Sequence, residues 1–273
     1  MNLKNEITVG IPFYDKADVL HLRLCIESIL NQSIKPKIIH LIQDGKVSDS
    51  IKKLIDSYIN DYPNLFLLLK LPKKGLPYAL NQSIKNSDTK YYARMDADDI
   101  AIQNRLEIQF NYLEKNPNID ILGAWAYEFK NNYNKNDLYI NKTPDNIKII
   151  NEYFHYRNPL IHPSVMFRMV LFKKIGFYNE KMITDQDLEL WGRALFKKIN
   201  ISNIQQPLLF LRIDNRLIRR SQLLAIKRQI IIRYSYNTCS FKLNLLKLAA
   251  ILSRMLPLRL MEWAYKNLRN FKR

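Results

Sequence analysis

Apolar residues fall into two alternating rhythms along the first hundred positions. Four short runs, Ile7–Ile11, Lys37–Gln43, Leu65–Leu69 and Tyr91–Met95, have the length and the β-branched or aromatic content of buried strands. Helically spaced stretches separate them. Across 18–31, Val19, Leu22, Cys25, Ile26, Ile29 and Leu30 line one face, and 50–60, opened by a Ser cap, and 76–86 also read as helices. Strands joined by such helices predict a parallel sheet with right-handed crossovers. Ligands of such sheets bind beyond the carboxyl ends of the strands. The segments at those ends are Pro12 to Asp15, Asp44-Gly45, the loop before Leu76, and Asp96 to Asp99. All four converge on one edge.

The second half is less regular. A helix over 105–116 is ended by Pro117, 119–129 is strand-like, and 131–136 is a polar, Asn-rich loop. Segments 147–154 and 185–196 read as helices, 165–167 as a strand and 208–213 as an edge strand. A long helix over 221–234 leads into the C-terminal segment. No linker rich in Gly, Pro or Ser divides the chain. The pattern predicts an α/β domain over 1–215 and a helical extension over 216–273.

Composition narrows the picture. With 273 residues, 47% of them apolar, the chain is long enough for one large core. Cys25 and Cys239 are its only cysteines, which fits a reducing compartment and no thiolate metal site. Met1 to Glu6 lacks the apolar core of a signal peptide, so a cytosolic protein is expected.

The net charge of +18 is concentrated at the end of the chain. From Arg216 to Arg273 there are 14 Lys/Arg and a single acid, Glu262. Such a tail can face nucleic acid or anionic lipid. On a helix over 258–273, Leu260, Met261, Ala264, Leu268 and Phe271 share one face, and Arg259, Lys266, Arg269 and Arg273 the other. That is the layout of a helix lying in a membrane interface. The preceding run, 241–256, is too short and too charged to span a bilayer. The alternative is that both helices pack on the domain with their basic side outward.

Candidate chemistry begins at Arg94-Met95-Asp96-Ala97-Asp98-Asp99. Carboxylates this close repel one another unless a cation lies among them, and such oxygen ligands suit Mg²⁺ or Mn²⁺ bridging to phosphates. The alternative is an acidic turn capping the helix that begins near Gln103. Asp44 is placed either to accept from a nucleobase N–H or ribose hydroxyl, or to serve only the Asp-Gly turn. Asp187 opens the helix over 185–196, where the helix dipole favours an ionised acid. There it is either a general base or a plain helix start. His162, between Ile161 and Pro163, is either a ligand contact or a structural residue.

Several of these segments occur together in a characteristic order. They are Asn31-Gln32, Asp44-Gly45, Lys74-Gly75-Leu76 with Ala79, Leu80 and Asn81, then Arg94 to Asp99. Later come His162 to Arg168, Ile175 to Tyr178, Asp187 to Arg193 and Pro207 to Leu209. The set resembles the family 2 glycosyltransferases, inverting nucleotide-sugar enzymes of the Rossmann-like GT-A fold, over roughly residues 6 to 215. The resemblance implies transfer from a UDP-sugar. Asp44 would meet the uracil, Asp96 the ribose, Asp98 the Mn²⁺ or Mg²⁺, and Asp187 would be the base. Arg94 and Lys74 would lie near the nucleotide, and Pro12, Tyr14, Asn81 and His162 complete the donor-binding set. Three departures stand out. Gln43 and Gln186 replace acids that are usual beside Asp44 and Asp187. Leu211-Arg212-Ile213-Asp214 lacks the usual metal-binding His, so Asp214 or water would be the third ligand.

The expectation is an inverting hexosyltransferase, galactose first, acting in surface-polysaccharide synthesis. Its acceptor is a saccharide on a polyprenyl diphosphate, and the enzyme is peripheral at the inner face of the cell membrane, held by its C-terminal helices. Three rivals carry different consequences. A nucleic-acid-binding protein has the charge but needs a recognition motif that is missing here. A nucleotidyltransferase needs a Gly-rich phosphate loop, which Pro12 to Asp15 is not. An inactive scaffold of the same fold would account for the departures.

Overall fold

The computed structural model describes residues 6–130, 138–213, 223–257 and 260. Its first half follows the alternation of apolar runs. Strands β1 (Ile7–Tyr14), β2 (Ile38–Asp44), β3 (Phe66–Leu71) and β4 (Tyr91–Arg94) are joined by helices α1 (Val19–Leu30), α2 (Asp49–Asp61) and α3 (Leu76–Lys85). They pair in parallel in the order β3-β2-β1-β4. Side chains at each helix start account for the boundaries. Asp18 accepts from His21 N–H at 2.9 Å, and Ser48 rather than Ser50 caps α2.

The second half adds β5 (Ile100–Ala101), α4 (Arg105–Lys115), β6 (Ile121–Phe129), β7 (Tyr139–Asn141), α5 (Ile147–Phe154), β8 (Met166–Arg168), α6 (Val170–Ile175), α7 (Gln186–Phe196) and β9 (Ile201–Arg212). These strands extend the sheet as β4-β8-β6-β9-β5, with β7 beside β6. Among the described residues every antiparallel pair includes a strand of this half, β4 with β8 among them; β6 and β9 run parallel.

The expected edge strand over 208–213 needs correcting. Here β9 spans twelve residues and lies between β6 and β5. Pro207 is tolerated because the register with β6 shifts next to its partner Trp125, so a bulge absorbs the missing N–H.

The pleat sends neighbouring side chains to opposite faces. Tyr91 joins the core beneath α1, α2 and α4, with Ile26, Leu54 and Leu106. Tyr92 joins the other core, with Leu80 of α3, Phe154 of α5 and Trp191 of α7. Both faces are therefore covered, as a parallel sheet requires.

The C-terminal segment continues as α8 (Leu223–Ser235) and α9 (Phe241–Leu252), followed by a 3₁₀ turn over Ser253–Met255. Ile232 of α8 is buried in the same core as Phe154 and Trp191. The predicted amphipathic helix over 258–273 and Asp214 lie outside the described residues, apart from exposed Leu260.

Candidate active site

Strand order reverses at β1, whose neighbours are β2 and β4. The crevice at such a switch point, off the carboxyl ends of the strands, is where ligands settle in open α/β sheets. Tyr14 pairs in register with Asp44 at these ends, and Pro12 lies two residues back, opposite Ile42. Tyr14 is exposed and Pro12 half-buried.

Asp44 is buried, and its carboxylate accepts from the backbone N–H groups of Lys74 at 2.8 Å and Gly75 at 3.0 Å. It thereby ties the end of β2 to the loop entering α3. Gly45 and Gly75 make this turn possible, with φ of 89° and 94°, which side-chain-bearing residues rarely adopt. Asp44, Lys73, Lys74, Gly75, Tyr78, Glu180 and Ile183 line a cleft of about 560 Å³. Lys74 lies over the Tyr78 ring, 4.7 Å from its centroid. Lys73 pairs with Asp15 at 2.8 Å across the rim.

Asn81 is tied into the framework around the cleft. It is buried in α3, and its amide nitrogen donates to the Tyr178 carbonyl and to Glu180 Oε1, both at 2.9 Å. Its oxygen accepts from Tyr178 N–H. Both amide hydrogens are therefore used within the protein. Asn81 holds the 178–180 loop against the cleft, and Glu180 lines the cleft wall.

The acidic turn follows β4. Asp96, Asp98 and Asp99 bring one carboxylate oxygen each within 4.8 Å of the others. Arg94 is buried and donates to Asp96, while its Nε and Nη1 have no partner among the described residues. Arg105, also buried, supports the turn from below by donating to the Arg94 carbonyl at 2.7 Å. Burial and the neighbouring Asp96 push Asp98 up to about 6, although its side chain reaches solvent. Burial, then Asp96 and Asp98, raise Asp99 well above the usual carboxylate range.

Asp99 is the member that sequence reasoning left unassigned. Its Oδ1 accepts from Arg212 N–H at 2.9 Å, pinning the end of β9 to the turn, and its buried Oδ2 has no partner among the described residues. Three mutually repelling carboxylates with one orphaned buried oxygen fit a hard divalent cation. Asp96, Asp98 and Asp99 are the residues that would hold it.

Asp187 is the second residue of α7 and half-buried. Its Oδ2 accepts from Asn158 Nδ2 at 2.6 Å. Burial raises it above the usual carboxylate range, and the nearby Asp185 charge adds to that. The Asn158 bond and the charge of Arg94 act the other way. Arg94 thus lies within electrostatic reach of both Asp96 and Asp187.

Asp185 precedes α7 in the left-handed region, with φ of 60°. Gln229 of α8 donates to it at 2.6 Å, and Arg228 donates to the adjacent Thr184. The C-terminal segment therefore buttresses the loop that carries Asp187. Nothing in the local spacing signalled Asn158, Gln229 or Glu180, because each acts across a long sequence separation.

His162 sits in a buried 3₁₀ turn, its Nε2 2.8 Å from the Tyr178 hydroxyl and its ring edge-on to Trp191. Burial, and then the Arg94 charge, hold it well below its ordinary value, so it is neutral. Burial holds the Tyr178 hydroxyl well above its ordinary value, with the Arg94 charge acting against that and the charges of Asp187 and Asp96 adding to it.

Residues 8–176 match the family model described as glycosyl transferase family 2. The chain is 30% identical over 215 residues to an Escherichia coli UDP-Gal:alpha-D-GlcNAc-diphosphoundecaprenol beta-1,3-galactosyltransferase, covering 79% of this chain and 77% of that protein. It is 26% identical over 275 residues to the amylovoran biosynthesis glycosyltransferase AmsE of Erwinia amylovora, covering 95% and 97%. Its fold matches the Pyrobaculum calidifontis mannosyltransferase PcManGT, solved with GDP-Man and Mn²⁺. The TM-score is 0.63 over 94% of this chain and 71% of that one, at 13% identity.

Proposed function

The chain belongs to glycosyl transferase family 2, and from that premise we propose that it transfers a hexose, galactose first, from a UDP-sugar to a lipid-linked saccharide. The observation that carries the reading is the position of Arg94, which is ion-paired to Asp96 of the acidic turn and acts electrostatically on Asp187. An inverting transfer needs a site for the departing diphosphate and a base on the acceptor side, with the reacting carbon between them. Two acidic stations flanking one buried guanidinium support that arrangement.

In this reading Asp44, with the Lys74 and Gly75 backbone it organises, receives the uracil, and Asp96 the ribose. Pro12, Tyr14 and Lys74 border the donor. Asp96, Asp98 and Asp99 would hold a Mn²⁺ or Mg²⁺ ion, with Asp214 a further candidate ligand, and such an ion would supply positive charge against the leaving diphosphate. The unpartnered N–H groups of Arg94 point to a second anion contact for the donor. Asp187 removes the proton from the acceptor hydroxyl as that oxygen attacks the anomeric carbon. His162, being neutral, orients Tyr178 and adds no charge.

The acceptor class and its place in bacterial polysaccharide assembly follow the two named relatives. Among the described residues no helix is long and apolar enough to cross a membrane. The outward face of α9 carries Phe241, Leu245, Leu248 and Leu252, all exposed. That face, with the cationic C-terminal segment, supports a peripheral position at the inner face of the cell membrane. The direct test is a panel of UDP-sugars with Mn²⁺ and a diphosphate-linked lipid saccharide, scored for released UDP. The reading expects turnover with UDP-galactose that depends on the acceptor; no turnover with any UDP-sugar would refute it.

A further inference from the structure

Gln229 and Arg233 interrupt an otherwise apolar stripe. The buried face of α8 carries Ala225, Ile226, Gln229, Ile232 and Arg233, and its two polar members are 2% and 3% exposed. Burying such groups is costly unless each is bonded, and apolar side chains of the same shape would fill the space without that cost. What the two bond to is therefore informative. The Arg233 Nε–H can only donate, and it does so to Gln229 Oε1 at 3.0 Å. That fixes which way the Gln229 amide faces. Its nitrogen is turned to Asp185 Oδ1, at 2.6 Å.

Asp185 stands at the N-cap position of α7, where an aspartate usually accepts from its own helix. Here it makes no such bond, and its backbone is left-handed. A residue with a side chain stays in that region only where its surroundings hold it. The conformation two residues before Asp187 is thus set from α8 and not from within α7. Arg228 adds a donor to the adjacent Thr184. The Arg233 guanidinium also reaches the other support of Asp187. Its Nη1 donates to the Phe154 carbonyl at the end of α5. The chain leaving α5 carries Asn158, whose amide bonds Asp187 Oδ2 at 2.6 Å. One buried side chain therefore stands behind both the Asp185 contact and the segment that supplies Asn158.

We propose that Gln229, oriented by Arg233, is a positioning residue for the transfer reaction. Through Asp185 it fixes the loop from which Asp187 meets the acceptor hydroxyl, so that α8 completes the active site. This rests on the reading of Asp187 as the base and names the residue outside the α/β domain on which that base depends.

Two variants of the full chain test it. In Gln229→Glu the new carboxylate still accepts from Arg233, which keeps it ionised, but it meets Asp185 with like charge. Gln229→Asn is neutral and a methylene shorter, so it cannot span both partners. On the plateau of the pH profile each should lower kcat by about tenfold to a hundredfold, the scale of a misplaced reacting group. UDP affinity should stay at the wild-type value, since no proposed donor contact lies on α8. Adding Asp185→Asn to Gln229→Glu restores a donor and an acceptor with their roles exchanged, and should recover most of the lost rate. Hydrogen exchange of the backbone amides over 184–189 should quicken in both single variants, slow again in the double, and stay unchanged in the sheet. A native kcat in either single variant, or no recovery in the double, would overturn the proposal. So would a UDP affinity that falls in step with kcat, or exchange that quickens throughout the sheet, because a merely structural role predicts both. The exchange measurement needs no turnover. If Asp187→Asn transfers at the native rate, the base reading fails, while exchange still decides whether Gln229 holds the loop.

Discussion

Asn158 Nδ2 lies 2.6 Å from Asp187 Oδ2, so the residue cast as base is held by a neutral donor from a loop 29 positions earlier. The bond stabilises the ionised form and opposes the effect of burial. It also fixes the direction in which the carboxylate points.

Replacing Asp187 by Asn removes the proton acceptor and keeps the shape. Transfer should fall by roughly a hundred- to ten-thousandfold, the usual worth of a general base. UDP affinity should be unchanged, because the proposed donor contacts do not include Asp187. Single-turnover transfer and UDP calorimetry on the same preparation check both halves, and native transfer by this variant would remove Asp187 from the mechanism.

The pH profile should respond in opposite senses to its two neighbours. In the proposed role Asp187 works as the carboxylate, so activity should be lost as pH falls through its raised pKa. Asn158→Ala removes a bond that lowers that pKa, and the acid limb of kcat/KM should move to higher pH. Asp185→Asn removes a like charge that raises it, and the limb should move to lower pH. Asn tolerates the left-handed φ of 60° at 185, so the backbone should survive the exchange. Shifts in the same direction would contradict the assigned electrostatics.

Asp98→Ala should abolish metal-dependent UDP binding while leaving the fold intact, since its side chain is exposed. Calorimetry with Mn²⁺ and with EDTA separates the two contributions. Asp99→Ala should differ, because it also cuts the bond to Arg212 N–H and so loosens β9 from the turn. A lower melting temperature for Asp99→Ala alone is the expected contrast.

Asp44→Ala leaves the Lys74 and Gly75 N–H groups without their acceptor. About 1 kcal/mol of stability should be lost, the low end of the range for stranded donors, because Lys74 is exposed and Gly75 half-buried. UDP affinity should fall with it, as the loop that lines the cleft comes free. Thermal melting and UDP titration together distinguish this from a local loss of contact alone.

The residues differ in how far the sequence disclosed them. The strands from β1 to β4 were legible because each apolar run is continuous and its helix strictly periodic. Their order on the sheet then placed Pro12, Asp44, Lys74 and Asp96 along one edge. Strand β9 is longer than its apolar run 208–213, and Pro207 sits inside it only because the bulge at Trp125 absorbs the missing N–H. Strands β5 and β7, of two and three residues, carry no periodic signal. Asn81 was legible as part of a motif but not as a clamp, since its partners at 178–180 lie nearly a hundred positions away. Asp99, Asn158 and Gln229 earn their places through partners brought near only by folding.

The outward face of α9 supplies the last prediction. Phe241, Leu245, Leu248 and Leu252 recur at helical spacing and are exposed, whereas Lys247 and Ile251 point inward. This reverses the usual order, in which the apolar face is buried and the charge faces water. Lys247 is fully buried, its Nζ 2.5 Å from Asn237 Oδ1 and 4.5 Å from the Tyr234 ring centroid. A helix held in this orientation presents leucines to whatever lies outside. Each such side chain gains about 1.5–3 kcal/mol on full burial, and the cationic segment adds attraction to anionic lipid. Leu245→Glu combined with Leu252→Glu should therefore reduce co-sedimentation with anionic vesicles by at least about tenfold. Transfer to a water-soluble acceptor should be spared, because neither residue touches the loop that carries Asp187. Unchanged vesicle binding by this variant would mean that α9 does not contact the bilayer.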